Sequence, residues 1–225
     1  AATINCLDAL SVLIFGAWTG SYLYPELSRR YKIKIPTTYK FAIGSALGAL
    51  SMGWALIVDG LIRDEYAKTG GQISILWQAP SYILIGFGEI FAVSAAYEAA
   101  FTASPPQTKA LASAVNIVCI GGIPNVLCVM LYQACHEWFR NEHGSANLQH
   151  VSDYVTAHVA KYFWLLVSIL LFGVVLNIIP AVKNFVISIE TKASDIVRTP
   201  RPAQESTPLL KKRFLVENKG LYRMP

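Results

Sequence analysis

The stretch QAPSYILIGFGEIFAVSAAYEAAFTASPPQTKA, residues 78–110, decides the fold. A helix that crosses a bilayer needs roughly 20 mainly apolar residues, and this run supplies them while carrying two carboxylates, Glu89 and Glu98. An acid at the centre of a spanning helix costs roughly 2.5 to 3.5 kcal/mol on insertion. A chain keeps one there when a partner, a water-filled cavity or a function compensates. Glu89 lies near the middle, with no route to the headgroups, and is the first candidate site residue. Glu98 follows nine residues later, so at about 100° per residue it points to the opposite face. Being near the end of the helix, it is expected to snorkel or to pair with Lys109.

Four more stretches are as long and as apolar, giving expected spans at about 7–27, 41–62, 79–101, 110–134 and 162–182. Of the 225 residues 54% are hydrophobic and 15% charged, and the mean hydropathy is +0.42. An ordinary soluble domain is excluded. The expected fold class is all-α, a polytopic membrane helical bundle with five transmembrane helices, occupying residues 1–187. Gly44 and Gly48, and the row Gly88, Ala92, Ala96, Ala100, recur every four residues and mark close-packing faces. Pro80 falls in the first turn of the third helix, where it is tolerated. Gly121, Gly122 and Pro124 fall inside the fourth, which should be kinked or locally opened. Cys6, Cys119, Cys128 and Cys135 lack metal-ligand or CxxC spacing and read as packing residues.

Fifteen of the nineteen Lys and Arg lie in the first and third connections and after the last helix, so that side is expected to be cytoplasmic. The net charge of +5 follows from this topology; no nucleic-acid partner is indicated. The four histidines, His136, His143, His150 and His158, share one outer loop at irregular spacing. Asp8 and Asp59 near the outer helix ends are expected in hydrated positions. No Ser/His/Asp, Cys/His or metal constellation converges in the helices, so neither an enzyme nor a metal or organic cofactor is expected.

The run Gln78, Pro80, Tyr82, Glu89, Glu98, Pro105, Lys109 resembles the tenth helix and the start of the eleventh in the proton-coupled oligopeptide transporters of the major facilitator superfamily. The segment LYPELSRRYKIKIPTTYKFAIG is similar to that family's link between the eighth and ninth helices. The resemblance covers about residues 5–125. It implies that the five helices are the eighth to twelfth of twelve, in a chain continuing from missing N-terminal helices; the opening AATINCLDAL, with neither Met nor a signal peptide, fits such a continuation. It further implies symport of di- and tripeptides with a proton as the coupling ion. Glu89 then corresponds to the cavity acid that recognises the peptide's amino end. Asp8 takes a cavity-facing polar place, and Asn116 stands where relatives have Trp or Phe; these three are the candidate substrate-binding residues. Two other readings stand beside it: a relative carrying nitrate or another small solute, and a truncated, transport-inactive membrane protein.

After residue 187 the composition turns to Pro, Ser, Thr and mixed charge, and residues 188–225 are expected to form a disordered cytoplasmic tail. Within it Glu205, Leu209 and Leu210 have the spacing of an acidic dileucine signal, which would bring sorting adaptors as partners. The expected location is the plasma membrane, with an endosomal, lysosomal or vacuolar membrane as the alternative.

Overall fold

The computed structural model describes residues 2–31, 35–102, 104, 105, 107–141, 144, 148 and 150–198. Among them the chain is helical apart from short connections, with no strand. The first span, Cys6–Leu27, consists of α1 (Ala2–Trp18), a π-helical turn (Thr19–Leu23) and the start of α2 (Tyr24–Tyr31). The second is α3 (Thr37–Thr69). The third joins a 3-10 turn (Ile75–Gln78) to α4 (Ala79–Thr102). The fourth comprises α5 (Lys109–Ile117), a π-helical turn (Val118–Gly122) and α6 (Ile123–Ala134). After the short α7 (Val151–Thr156), the fifth is α8 (Val159–Ile178), and α9 (Pro180–Arg198) follows it.

The protein is thus an all-α membrane bundle with five helices long and apolar enough to cross a bilayer. The second is longer than expected: 33 residues, about 50 Å at 1.5 Å each. Its polar end IRDEYAKT is made mostly of good helix formers, and it stops only at Gly70, whose φ of 66° is the left-handed cap that glycine adopts freely. The fifth span ends at Ile178, four residues earlier than expected, because Pro180 interrupts the helix. Both π-helical turns end two positions before a proline. Pro25 and Pro124 cannot donate to the carbonyl four residues back, and widening the preceding turn removes the ring's clash with it. The opening expected at Gly121, Gly122 and Pro124 takes this form; the one in the first span was not foreseen.

α3 is the central element. It packs against α4 on one side and α8 on the other, while α1 and α5 pack on α4. The glycine faces explain how. A Cβ at Gly44 would stand 2.9 Å from the Gly88 carbonyl oxygen, and one at Gly88 3.1 Å from that of Gly44. Seven residues further along α3, and seven back along α4, Ser51 and Ser81 exchange hydrogen bonds: Ser51 Oγ to the Ser81 carbonyl at 2.9 Å and Ser81 Oγ to that of Ser51 at 3.0 Å. On the α8 side Gly48 faces Leu170 and Gly173 faces Ser45. Apolar side chains gain little by leaving lipid for one another, so close backbone approach and shared hydroxyls are what hold such helices together. The large side chains point outward instead, among them Leu13, Val118, Met130 and Phe172. Cys6, Cys119 and Cys128 are exposed too, which corrects their reading as packing residues for all but the buried Cys135; the fourth span packs on α4 mainly through its first half.

Two further expectations change. Asp59 is buried, not hydrated: Arg63 Nε donates to it at 2.9 Å and the Tyr154 hydroxyl at 2.8 Å. Arg63 also donates to the carbonyls of Val155 and Ala157, at 2.5 and 2.9 Å. One arginine thereby pins the loop around α7 onto the end of α3. The disordered tail does not begin at residue 188, because α9 continues as a helix to Arg198. Its apolar residues Val182, Val186 and Ile189 recur at helical spacing, and Glu190 accepts a hydrogen bond from Thr37. Glu205, Leu209 and Leu210, like the rest of the expected tail beyond 198, and His143 of the outer loop lie outside the described residues.

Two stability predictions follow from these contacts. Gly88→Leu puts a side chain against backbone that cannot give way, and should lower the stability of the detergent-solubilised protein by about 1–3 kcal/mol. Gly53→Ala, with nothing within 4 Å, should leave the thermal midpoint unchanged or higher; similar losses in both would contradict the seam. Tyr154→Phe should cost about 1 kcal/mol. Burial first, then the hydrogen bond to Asp59 and its charge, push the Tyr154 hydroxyl above its ordinary value, with Arg63 opposing. A raised folded value stabilises the protein fully below the unfolded value, about 10, and fades only above it. The loss should therefore be equal at pH 6 and pH 9; a difference that changes between them would refute the neutral-hydroxyl assignment.

Candidate functional site

Glu89 is the residue after Gly88, so the same close seam that buries Gly88 against α3 turns Glu89 outward by about 100°. It is exposed on the surface of the chain, at the border of a cleft of about 340 Å³ that includes Gly44, Gly48, Gly88 and Leu170. On its other flank stands Asp8 of α1. A Cβ at Gly86, one turn before Glu89, would lie 2.9 Å from both Asp8 Oδ1 and the Asp8 carbonyl oxygen, and only 2.1 Å from Ser11 Oγ. Gly86 therefore seats α1 against α4. The Ser11 hydroxyl donates to the Asp8 carbonyl at 2.7 Å, leaving Asp8 Oδ1 buried with no hydrogen-bond partner. Asp8 thus meets α4 one helical turn before Glu89.

Two acids at close quarters in an apolar bundle, one with an unpartnered buried oxygen, leave negative charge that a proton or a bound cation would compensate. On the opposite side of α4, about 200° round the helix from Glu89, aromatic rings pack the contact with α1: Phe87 lies on Phe15 at 4.6 Å and on Phe91 at 5.3 Å between ring centroids, with Trp18 edge-on at 6.4 Å.

Asn116, the third candidate, lies elsewhere. It is buried, its Nδ2 has no partner, and it lines a separate cleft of about 410 Å³ with Ala100, Thr108 and Cys119 that contains neither acid. The structure brings Asp8 and Glu89 together and leaves Asn116 apart.

Glu98 does face away from Glu89, but its partner is not Lys109. Its carboxylate accepts from Lys40 of α3, whose side chain is 9% exposed and whose ammonium lies 5.1 Å from the Tyr24 ring centre. The first three spans thus meet at one charge. Lys109 instead caps the Phe101 ring at 3.8 Å. The signal for this pairing lay in the sequence as the hairpin itself: Lys40 opens the second span and Glu98 nearly closes the antiparallel third, so the two ends are neighbours. Nothing in the sequence marked Gly86 as the seat of Asp8.

The profile of the POT family matches residues 1–138. The chain is 31% identical over 119 residues to "Probable peptide transporter ptr2" of Schizosaccharomyces pombe, an alignment covering 49% of this chain and 19% of that protein. It is 27% identical over 123 residues to "Peptide transporter PTR2" of Saccharomyces cerevisiae, covering 51% and 20%. To "Protein NRT1/ PTR FAMILY 8.5" of Arabidopsis thaliana it is 28% identical over 187 residues, covering 81% and 31%. It therefore spans about a fifth of the two yeast relatives and under a third of the plant one. The matched region holds the first four spans, both acids and the glycine seam, and the chain belongs to the POT family.

Proposed function

We propose that the chain is the C-terminal part of a proton-coupled symporter for di- and tripeptides, its five spans being the eighth to twelfth of twelve. The observation that carries the reading is the Asp8 and Glu89 pair, with an unpartnered buried carboxylate oxygen between α1 and α4. Ionised, Glu89 attracts the ammonium group at a peptide's amino end; protonated, it no longer does, and the solute is released. Proton and peptide would then be linked reciprocally at one site. Asp8 holds a second negative charge beside it, and Asn116 contributes polar contact from the fourth span. The remaining helices of a full-length protein would close the cavity on the exposed side of Glu89. The membrane would be the plasma membrane, with the basic end of the bundle in the cytoplasm; an endosomal, lysosomal or vacuolar membrane is the alternative.

A second reading has its own support. The alignment with the plant NRT1/PTR protein covers 81% of this chain, against 49% and 51% for the yeast peptide transporters, and the second reading is a relative carrying nitrate or another small solute. An anion would not be drawn to Glu89, so the two readings separate on that residue.

In the full-length protein, Glu89→Gln should lower proton-driven dipeptide uptake at least about tenfold, the lower end of what a hydrogen bond to a charged group contributes, with membrane insertion unchanged. Glu98→Gln should act differently: it leaves Lys40 without its partner, and the amount of folded protein should fall while uptake per folded molecule changes little. Near-normal uptake by Glu89→Gln would overturn the peptide reading, and nitrate uptake unaffected by that change would favour the second.

A further inference from the structure

The helix α9 has no part in the site, yet it is held firmly to the bundle at its basic end. Lys183 Nζ donates to the Tyr39 hydroxyl at 3.1 Å and lies 4.7 Å from the Tyr39 ring centre, and Thr37 donates to the Glu190 carboxylate. Seven residues separate Lys183 from Glu190, about 10 Å of helix, whereas their partners are two residues apart in α3, about 3 Å of rise. Ile179 between the two helices is non-helical, with ψ at 125°, so α9 leaves the axis of α8 and is tied beside the start of α3.

This helix is two-sided. At about 100° per residue, Phe185 and Ile189 share a face, while Asn184 and Thr191 lie on the opposite one. Phe185 is 65% exposed and Ile189 43% exposed, and Lys192 is exposed at the edge of their face. Ile187, 38% exposed, is the one large apolar residue on the polar side. The helix begins two residues after the fifth span ends, so Phe185 stands roughly 10 Å beyond that span along the chain. The last turns of α8 also expose apolar side chains, Phe172, Val175 and Ile178.

We propose that α9 is an interfacial helix: the Phe185 and Ile189 face is seated at the headgroup and acyl boundary of the lipid leaflet at the basic end of the bundle. The occupant is lipid because α9 follows the fifth span after a single non-helical residue, at the basic end of the bundle where that span leaves the bilayer, and because an amphipathic helix with one wet side and one apolar side suits that boundary. Its two polar ties to Thr37 and Tyr39 hold the start of α3 at a set depth, next to Lys40 and its pairing with Glu98.

The test uses the full-length protein reconstituted in phosphatidylcholine vesicles. Single cysteines at positions 185, 189, 184 and 191, on a background without native cysteines, carry a fluorophore read by aqueous iodide and by phosphatidylcholine brominated near the headgroup. Iodide quenching should be at least about threefold weaker at 185 and 189 than at 184 and 191, and lipid quenching correspondingly stronger. Equal iodide quenching at all four positions would overturn the proposal. So would labels at 185 and 189 shielded from both quenchers, which would mean that protein covers the face. The unsubstituted protein gives an independent readout: a photoactivatable phosphatidylcholine with its reactive group near the headgroup should crosslink within residues 182–189, and crosslinking confined to the spans would refute the placement.

Discussion

The close passage of two backbones at Gly44 and Gly88 is the constraint on which the rest of the structure depends. In lipid, side-chain burial supplies little attraction between helices, and contact must come from shape and from polar groups that lipid cannot satisfy. Gly44 and Gly88 give the shape, and the reciprocal hydroxyl bonds of Ser51 and Ser81, two turns along, lock the register. Once α3 and α4 are set side by side, α8 fits the other face of α3 through Gly48 and Gly173, and α1 fits the other side of α4 through Gly86.

The same seam distributes the charges. Gly88 faces α3, so Glu89 must turn away from it and meet Asp8 at the edge of the bundle. Half a turn round α4, Glu98 falls toward α3 at the basic end and meets Lys40. One acid is thus neutralised within the chain, and the other, with Asp8 beside it, is not. That asymmetry separates a carboxylate that holds helices together from one suited to take up a proton or a cation. It is also why an acid near the middle of a spanning helix is retained despite its cost of insertion.

Much of this was legible in residue order. The five spans, the small-residue rows, the opening before Pro124 and the opposed directions of Glu89 and Glu98 all follow from spacing along one helix, where geometry is local. What could not be read were partners far apart in the chain. Asp59 and Tyr154 lie 95 positions apart, and no periodicity announces that a loop tyrosine will descend onto a helix acid. Asp8 and Gly86 meet for the same kind of reason, through a packing of helices that only the assembled bundle defines. Composition misled at 188–198: mixed polar and apolar residues read as a tail, although a helix lying at a boundary needs just one apolar side.

The central claim, that Glu89 holds the amino end of the solute, is tested most directly by binding. In the full-length protein, and in its Glu89→Gln variant, the affinity for a dipeptide is compared with that for the same dipeptide acetylated at its amino end. The unsubstituted protein should prefer the free amine by at least about tenfold, 1.4 kcal/mol, and the variant should bind both forms within about twofold of each other. A variant that keeps the full preference for the free amine would contradict the assignment of Glu89.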